Sequence, residues 1–260
     1  MTQLDRLLEL EPAVRESADM EAVHRMRVTT RRLRAAARFV PALAEVEPPL
    51  RELADALGRV RDLDVFLASL RHDGAAATDQ ERAAIDEIVA AHGRERCASR
   101  AALVGTLEGT AIDELRALRE RLAAAEGPDR PAAWLVRRSL RRLRRRGRGL
   151  RAATAAQLHA VRIAAKRFRY TCEFLAPFLR EEIELATAIQ DTLGQLGDDE
   201  VAVALLLRHL ATANGQAGAI GRLIELRLER RDALLSRFQA LWDELPSGRA
   251  VERRIERGAA

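Results

Sequence analysis

The sequence predicts an all-α protein built from long, antiparallel helices. Ala, Leu, Arg and Glu dominate its 260 residues, and apolar side chains recur with a helical period along most of the chain. The alternating clusters of β-branched residues that are typical of strands are absent. Because several predicted helices exceed 20 residues and are joined by short connections, we expect an antiparallel bundle.

Prolines, glycines and short polar stretches divide this pattern into separate helices. We expect breaks at Pro48-Pro49, His72–Ala75, Gly127-Pro128, Gly147–Gly149, Asn214-Gly215 and Pro246–Gly248. The expected helices are Gln3–Ser17, Met20–Val46, Pro49–Arg71, Asp79–Leu107, Ile112–Ala125, Arg130–Arg146, Ala155–Phe178, Glu181–Ala211 and Ala217–Leu245, with a short tail helix to about Arg257.

The composition excludes several classes of protein. With 48% hydrophobic and 32% charged residues, the chain has the composition of neither a disordered nor a membrane protein. Charged residues in the first helical turns argue against a signal peptide, so we expect a cytoplasmic protein that does not interact with a membrane. Cys97 and Cys172 match no disulfide or zinc spacing. An aromatic content of 3% argues against base stacking, and we expect Trp134 and Trp242 in the core.

Positive charge is concentrated in two acid-free stretches. The formal net charge is +5, and Lys166 is the only lysine among 44 basic residues. From Ala22 to Ala44 there are six basic residues and no acidic one, and from Arg130 to Cys172 there are fourteen and again none. A solvated charged face is the alternative interpretation, but such faces usually mix signs at i, i+4. These stretches therefore predict a polyanionic ligand.

The sequence also contains an internal repeat, which predicts two homologous helical halves joined near residues 108–130. The segment His24–Arg34 matches His159–Arg169 at an offset of 135 residues. A Leu-Gly-x-x-x-Asp motif at Leu57–Asp62 recurs at Leu193–Asp198, at an offset of 136. A third, weaker match, at an offset of 131, pairs Arg96 and Arg100 with Arg227 and Arg231.

The basic residues of the first motif share one face of a helix. On a helical wheel, with about 100° per residue, they fall in a narrow stripe opposite apolar residues such as Met26 and Phe168. The first stripe contains His24, Arg27, Arg31 and Arg34, and the second contains His159, Arg162, Lys166 and Arg169. Arg38 continues the first stripe, but Glu173 takes its place in the second copy. Two histidines at equivalent positions, each opening a basic stripe, favour a ligand-facing role.

These motifs resemble the two signature helices of the CHAD family (conserved histidine α-helical domain), and the resemblance covers essentially the whole chain. It implies two pseudo-symmetric four-helix halves that enclose a basic central cavity. It also implies binding of inorganic polyphosphate there, association with polyphosphate granules, and phosphate contacts by the eight stripe residues. Secondary binding candidates are Arg32, Arg38, Arg96, Arg100, Arg141, Arg145, Arg167, Arg227 and Arg231.

The same interpretation divides the chain as a single CHAD domain over 1–260. We expect a first helical half at about 1–108, a connecting helix at about 109–129, a second half at about 130–246 and a short tail at 247–260. Polyphosphate is a linear anion without bases, so guanidinium and imidazole donors suffice to bind it and no aromatic platform is needed.

Two other functions stay open. Nucleic-acid binding is the first, with the arginine run from Arg137 to Arg151 as its candidate patch. A phosphatase or phosphotransferase acting on polyphosphate is the second. The sequence has no phosphate-binding loop, no His-Glu-x-x-His and no nucleophile elbow. We therefore expect a binding protein that is not an enzyme and has no catalytic residues, metal site or cofactor.

The Leu-Gly-x-x-x-Asp motif adds structural expectations. We favour a helix cap or a buried ion pair for Asp62 and Asp198, with orientation of the stripe arginines or metal binding as alternatives. A glycine inside a helix costs about 1 kcal/mol relative to alanine. We therefore expect a close helix crossing or a kink at Gly58 and Gly194.

Overall fold

The predicted all-α fold is confirmed. The structure, a computed structural model, describes residues 3–17, 19–74, 77–123, 128, 130–150, 153–211 and 216–258. Within these ranges the regular structure is helical, with one short 3₁₀ helix, and no strand occurs. None of the described helices combines the length and the apolar character that crossing a membrane requires.

The contacts divide the chain into two compact units, Met1–Asp129 (unit 1) and Arg130–Ala260 (unit 2). Unit 1 contains α1 (Gln3–Glu16), α2 (Met20–Ala36), the 3₁₀ helix (Pro41–Val46), α3 (Glu47–Gly74), α4 (Asp79–Leu107) and α5 (Thr110–Ala123). Unit 2 contains α6 (Ala132–Arg146), α7 (Ala155–Leu175), α8 (Arg180–Leu210), α9 (Ala217–Asp243) and α10 (Gly248–Gly258).

Each unit packs its helices around its own apolar core. In unit 1 consecutive helices pack on one another from α1 to α4, and α5, in the expected connecting segment, packs on α1, α3 and α4. Leu57 and Leu103 are fully buried in this core. In unit 2 the same consecutive packing runs from α6 to α9, α10 packs on α6, and Phe168 and Phe238 are almost fully buried.

Short polar side chains set the beginnings of the signature helices. The carboxylate of Asp19 accepts hydrogen bonds from the backbone N–H groups of Glu21 at 2.9 Å and Ala22 at 3.2 Å, which begins α2. Thr154 and Gln157 form a capping box at the start of α7. Such caps satisfy backbone donors that have no partner within the helix. Both signature helices therefore begin four or five residues before their histidine.

Proline chemistry changes several predicted boundaries. The expected helix Met20–Val46 is wrong beyond Ala36, because Pro41 cannot continue the helix and extends the backbone at Val40. The expected break at Pro48-Pro49 is also wrong, since both prolines lie in the first turn of α3, where backbone donors have no helical partner. Pro177 similarly ends α7 at Leu175, before the predicted Phe178. The breaks expected at Gly127 and Asn214-Gly215 lie outside the described residues.

Buried ion pairs tie neighbouring long helices together in both units. In unit 1, the fully buried carboxylate of Asp64 on α3 accepts a hydrogen bond from Nε of Arg96 on α4. In unit 2, Asp199 on α8 accepts from Nη1 of Arg227 at 3.0 Å and from Nε of Arg230 at 2.9 Å. The Arg227 side chain is only 2% exposed, and this carboxylate compensates its buried positive charge.

We predict that Asp199→Ala lowers the free energy of unfolding by about 3–5 kcal/mol, because it leaves the buried charge of Arg227 without its carboxylate. Urea unfolding followed by circular dichroism measures the effect. The apolar double variant Asp199→Leu/Arg227→Met should recover much of the loss. Glu225→Ala, which breaks an exposed pair with Arg222, is the control and should cost at most about 1 kcal/mol. Equal costs for Asp199→Ala and Glu225→Ala would contradict a structural role for the buried pair.

Candidate functional site

The first stripe follows one side of α2 and is partly open to solvent. Val23 and Met26 on the opposite side are fully buried in the core of unit 1. His24 and Arg31 are half-buried, and the side chains of Arg27 and Arg34 are 26% and 25% exposed. The sequence therefore places four basic groups at the edge of the core, where their apolar stems pack while their polar ends reach solvent.

Arg27 lies across a glycine of the next helix. A Cβ atom built on Gly58 of α3 would lie 3.0 Å from Nη1 of Arg27. Its Nη2 donates to Oδ1 of Asp62, one turn further along α3, at 3.4 Å. Gly58 thus leaves room for the guanidinium, which gives a reason for this glycine other than the expected helix crossing or kink. The expected helix cap or buried ion pair is wrong for Asp62, because its side chain is 70% exposed. Asp62 instead orients Arg27 of the first stripe, which was the alternative interpretation.

Arg34 is held by several hydrogen bonds to one carboxylate. Its Nη2 donates to Oε1 of Glu47 at 2.8 Å, and its Nε lies 3.3 Å from both carboxylate oxygens. These hydrogen bonds hold the pKa of Glu47 below its usual range. Because Glu47 is the first residue of α3, this ion pair also holds the C-terminal end of the stripe against the start of that helix.

His24 stands among positive charges. Burial lowers its pKa below the usual value of 6.5, and the positive charge of Arg61 on α3 lowers it further. Arg31 and Arg27 act in the same direction, while Glu21 opposes them. Sequence reasoning missed Arg61, because Gly197 occupies the matching position of the second motif and a comparison of the repeats gives no signal there.

In unit 2, Arg162 of α7 also lies against the glycine of its neighbouring motif. A Cβ atom on Gly194 would lie 3.5 Å from both Nε and Nη2 of Arg162, which is ordinary contact. The Nε of Arg162 is buried and has no hydrogen-bond partner among the described residues. A buried donor without a partner costs free energy, which an incoming acceptor would recover.

The remaining residues of the second stripe differ in exposure. His159 is exposed near the start of α7, whereas Lys166 and Arg169 are half-buried. Arg169 pairs with Glu173, one turn later, at 3.2 Å, and its Cζ lies 4.7 Å from the centroid of the Tyr170 ring. The last arginine of each stripe therefore has a carboxylate partner, although the two carboxylates occupy different positions in the repeat.

The secondary candidates fall into several environments. Arg96 and Arg227 form the buried ion pairs described above. Arg100 donates to the backbone carbonyls of Val14, at 2.8 Å, and Ser17. Arg231, which is half-buried, lines a cavity of about 340 Å³ in unit 2 with Ala155, Leu196, Asp199, Glu200, Val203, Arg227 and Leu228. Arg32 and Arg167 are half-buried and Arg38 is exposed.

The last two secondary candidates lie on the surface of α6. Arg141 and Arg145 are exposed. Trp134, on the same helix, is 39% exposed, so its expected place in the core is wrong. Trp242 is half-buried and packs against Phe238, with a ring-centroid distance of 5.8 Å. Both cysteines are free thiols, and within the described residues no group of three or more His, Cys, Asp or Glu side chains is placed to hold a metal ion.

The comparisons with known proteins identify the family and the fold. The family model of the CHAD domain matches residues 1–207. The chain belongs to the CHAD domain family. The match contains both stripes and ends within α8, so α9 and its arginines lie beyond it. The family is associated with polyphosphate.

Two solved structures share the CHAD fold. The crystal structure of the CHAD domain from the plant Ricinus communis has a TM-score of 0.72 and 24% identity, covering 94% of this chain and 89% of that one. PptA from Streptomyces chartreusis has a TM-score of 0.71 and 17% identity, covering 93% and 95%. At these identities the likeness shows the fold alone. The search of curated proteins found no match.

We predict that Gly194→Ala raises the free energy of unfolding by about 1 kcal/mol, because alanine favours helices and Arg162 is at ordinary contact distance. Gly58→Ala should gain less, since the new methyl group would lie only 3.0 Å from Nη1 of Arg27 and the guanidinium must shift. Urea unfolding of the two variants tests this difference. Equal gains would show that Arg27 does not occupy the space above Gly58.

Proposed function

We propose that the protein binds inorganic polyphosphate through the two stripes of α2 and α7 and does not catalyse a reaction on it. One observation carries the proposal. In each unit, a signature arginine lies over a glycine of the next helix, in a row of basic groups that begins with a histidine. Association of the CHAD family with polyphosphate supports the choice of ligand.

The contacts of Arg27 and Arg162 leave both guanidinium groups available to a ligand. The pair between Arg27 and Asp62 is long, at 3.4 Å, and Asp62 is largely exposed, so a phosphate can replace it at little cost. The buried Nε of Arg162 has no acceptor. By contrast, Arg34 is engaged with Glu47 through several hydrogen bonds. We therefore assign the central phosphate contacts to Arg27 and Arg162. Their stripe neighbours His24, Arg31, His159 and Lys166 complete the proposed site, and Arg34 and Arg169 form its carboxylate-bound ends.

A base-free polyanion suits these groups. Each guanidinium offers a planar fork of donors that can bridge phosphate oxygens, whereas neither stripe contains a Phe, Tyr or Trp side chain. The basic central channel implied by the family resemblance is part of the proposal, as is association with polyphosphate granules. In this role the protein binds or docks polyphosphate and has no hydrolytic or transfer activity.

Charge reversal in both stripes tests the proposal. We predict that Arg27→Glu/Arg162→Glu abolishes binding of long-chain polyphosphate, which wild-type protein should bind in the nanomolar to micromolar range. Isothermal titration calorimetry measures the affinity, and circular dichroism checks that the helices are retained. Arg71→Glu/Arg208→Glu is the matched control, because both arginines are exposed at the ends of α3 and α8 and the net charge changes equally.

Full affinity in Arg27→Glu/Arg162→Glu would refute the assignment of the binding site to the stripes. An equal loss of affinity in Arg71→Glu/Arg208→Glu would also refute it, because the loss would then reflect net charge alone. A phosphate-release assay on the same samples tests the proposal that the protein does not catalyse a reaction. With added Mg²⁺ or Mn²⁺, wild-type protein should release no phosphate from polyphosphate, triphosphate or nucleotides. Release that exceeds the protein-free blank would contradict a pure binding role.

The position of His24 predicts a pH dependence. Burial and Arg61 lower its pKa in the free protein, whereas bound phosphates would raise it by stabilising the imidazolium. Binding should therefore take up a proton, so affinity increases as pH falls from above the bound-state pKa to below the free-state pKa. Each unit of difference between the two pKa values contributes up to about tenfold in affinity.

The measurement is a series of polyphosphate titrations between about pH 8 and pH 6, a range that includes the ordinary histidine pKa. His24→Gln should flatten the pH dependence relative to wild type. His72→Gln, which removes an exposed histidine at the end of α3, should not. An unchanged pH dependence in His24→Gln would show that His24 does not contact the bound anion.

A further inference from the structure

The outward face of α6 carries positive charge outside the two stripes. Val136, Leu140 and Leu143 bury the other side of this helix in the core of unit 2. Four exposed residues on the outward side, beginning with Trp134 and ending with Arg145, are separated by four, three and four positions. This spacing keeps them on one face of the helix. We call this set the outer row: Trp134, Arg138, Arg141 and Arg145.

The arginines of the outer row have no carboxylate partners among the described residues. No acidic residue occurs in α6. The α6 arginines that do have polar partners lie beside the row: Arg137 pairs with Glu252, and Arg144 donates to the carbonyl of Leu245. Three charges of one sign therefore remain on a single exposed face, an arrangement that an anionic partner would stabilise.

Trp134 adds an aromatic group to this charged face. Its side chain is 39% exposed, and the Cζ atoms of Arg138 and Arg130 lie 5.0 Å and 5.7 Å from the ring centroid. Guanidinium–indole contacts of this kind hold the ring in place at the surface. The outer row thus offers both phosphate donors and a large indole surface for stacking, whereas neither stripe contains a Phe, Tyr or Trp side chain.

The chemistry of the row selects one class of partner. A membrane surface is disfavoured because the apolar side of α6 is already buried in the core and cannot insert into lipid. Polyphosphate has no group that stacks on Trp134, and duplex nucleic acid keeps its bases stacked inside the helix. Arg138 and Arg145 are seven residues apart, or about 10 Å along the helix axis, so the row can contact successive phosphates of one strand.

We propose that the outer row of α6 binds single-stranded nucleic acid, with its arginines on backbone phosphates and one base stacked on Trp134. This combination of a basic track and an aromatic platform is how proteins bind single strands without sequence preference. The activity is separate from polyphosphate binding by the stripes and does not depend on it.

Fluorescence anisotropy with a labelled oligothymidine of about twenty nucleotides, enough for several protein–base contacts, tests the proposal. Trp134→Ala should weaken oligonucleotide binding about thirtyfold, the middle of the range for losing one stacked base. Trp134→Phe, which keeps an aromatic face, should retain most of the affinity. Neither variant should change the affinity for polyphosphate, because that ligand does not stack.

The salt dependence tests the phosphate contacts. Arg141→Gln/Arg145→Gln should reduce the slope of log affinity against log salt by about 1.4, since each lost single-strand phosphate contact contributes about 0.7. Arg94→Gln/Arg237→Gln is the matched control, because it removes two exposed arginines elsewhere and should leave the slope unchanged.

Several outcomes would overturn the proposal: unchanged oligonucleotide affinity in Trp134→Ala, equal losses for oligonucleotide and polyphosphate, or equal slopes in the two double arginine variants. Tighter binding of duplex than of single strands would point to a purely electrostatic patch and also overturn it. Arg27→Glu/Arg162→Glu should keep wild-type oligonucleotide binding, so failure of this proposal is distinguishable from failure of the polyphosphate proposal.

Discussion

The separation of positive from negative charge along the chain is the constraint on which the rest of the structure depends. A stretch of helix without acidic residues cannot neutralise its arginines internally, so these side chains find partners on the next helix, at backbone carbonyls or in a ligand. Each of these solutions occurs. Arg34 reaches Glu47 on α3, Arg144 on α6 reaches the carbonyl of Leu245, and the Nε of Arg162 has no partner among the described residues.

The helix that follows each signature helix provides the surface on which this arrangement is built. A guanidinium lies over Gly58 on α3 and over Gly194 on α8, and both glycines lie on helices whose other side is buried in a core. The same helices carry Asp64 and Asp199, whose buried pairs tie them to the next helix along the chain. In each unit, therefore, the same helix, α3 or α8, contacts a signature arginine on one side and is tied by a buried ion pair to the following helix on the other.

Much of the fold was predictable from the sequence, because helix formation and the apolar pattern are local properties. The helix expected to run to Val46 ignores Pro41, which ends α2 early, whereas the break expected at Pro48-Pro49 overlooks that the first turn of a helix tolerates prolines. The stripes were predictable for the same local reason, since spacing alone places residues on one helical face.

Contacts between helices were not predictable from spacing. The orientation of Arg27 by Asp62 and the charge of Arg61 beside His24 depend on how α2 packs against α3. Trp134 is a different case, because its spacing from Val136 and Leu143 already places it on the opposite face of α6 from these core residues. The apolar segment around it suggested a core position, which its wheel position argues against. The division of the chain into two repeated halves around a basic cavity stays a prediction.

A competition titration tests the central claim, that the two stripes select a base-free polyanion, most directly. Protein bound to long-chain polyphosphate is titrated with duplex DNA at equal phosphate concentration, over a range of salt that includes about 150 mM. The account predicts that polyphosphate stays bound at this salt and that its affinity falls steeply as salt increases further. Displacement by duplex DNA at equal phosphate concentration would contradict it.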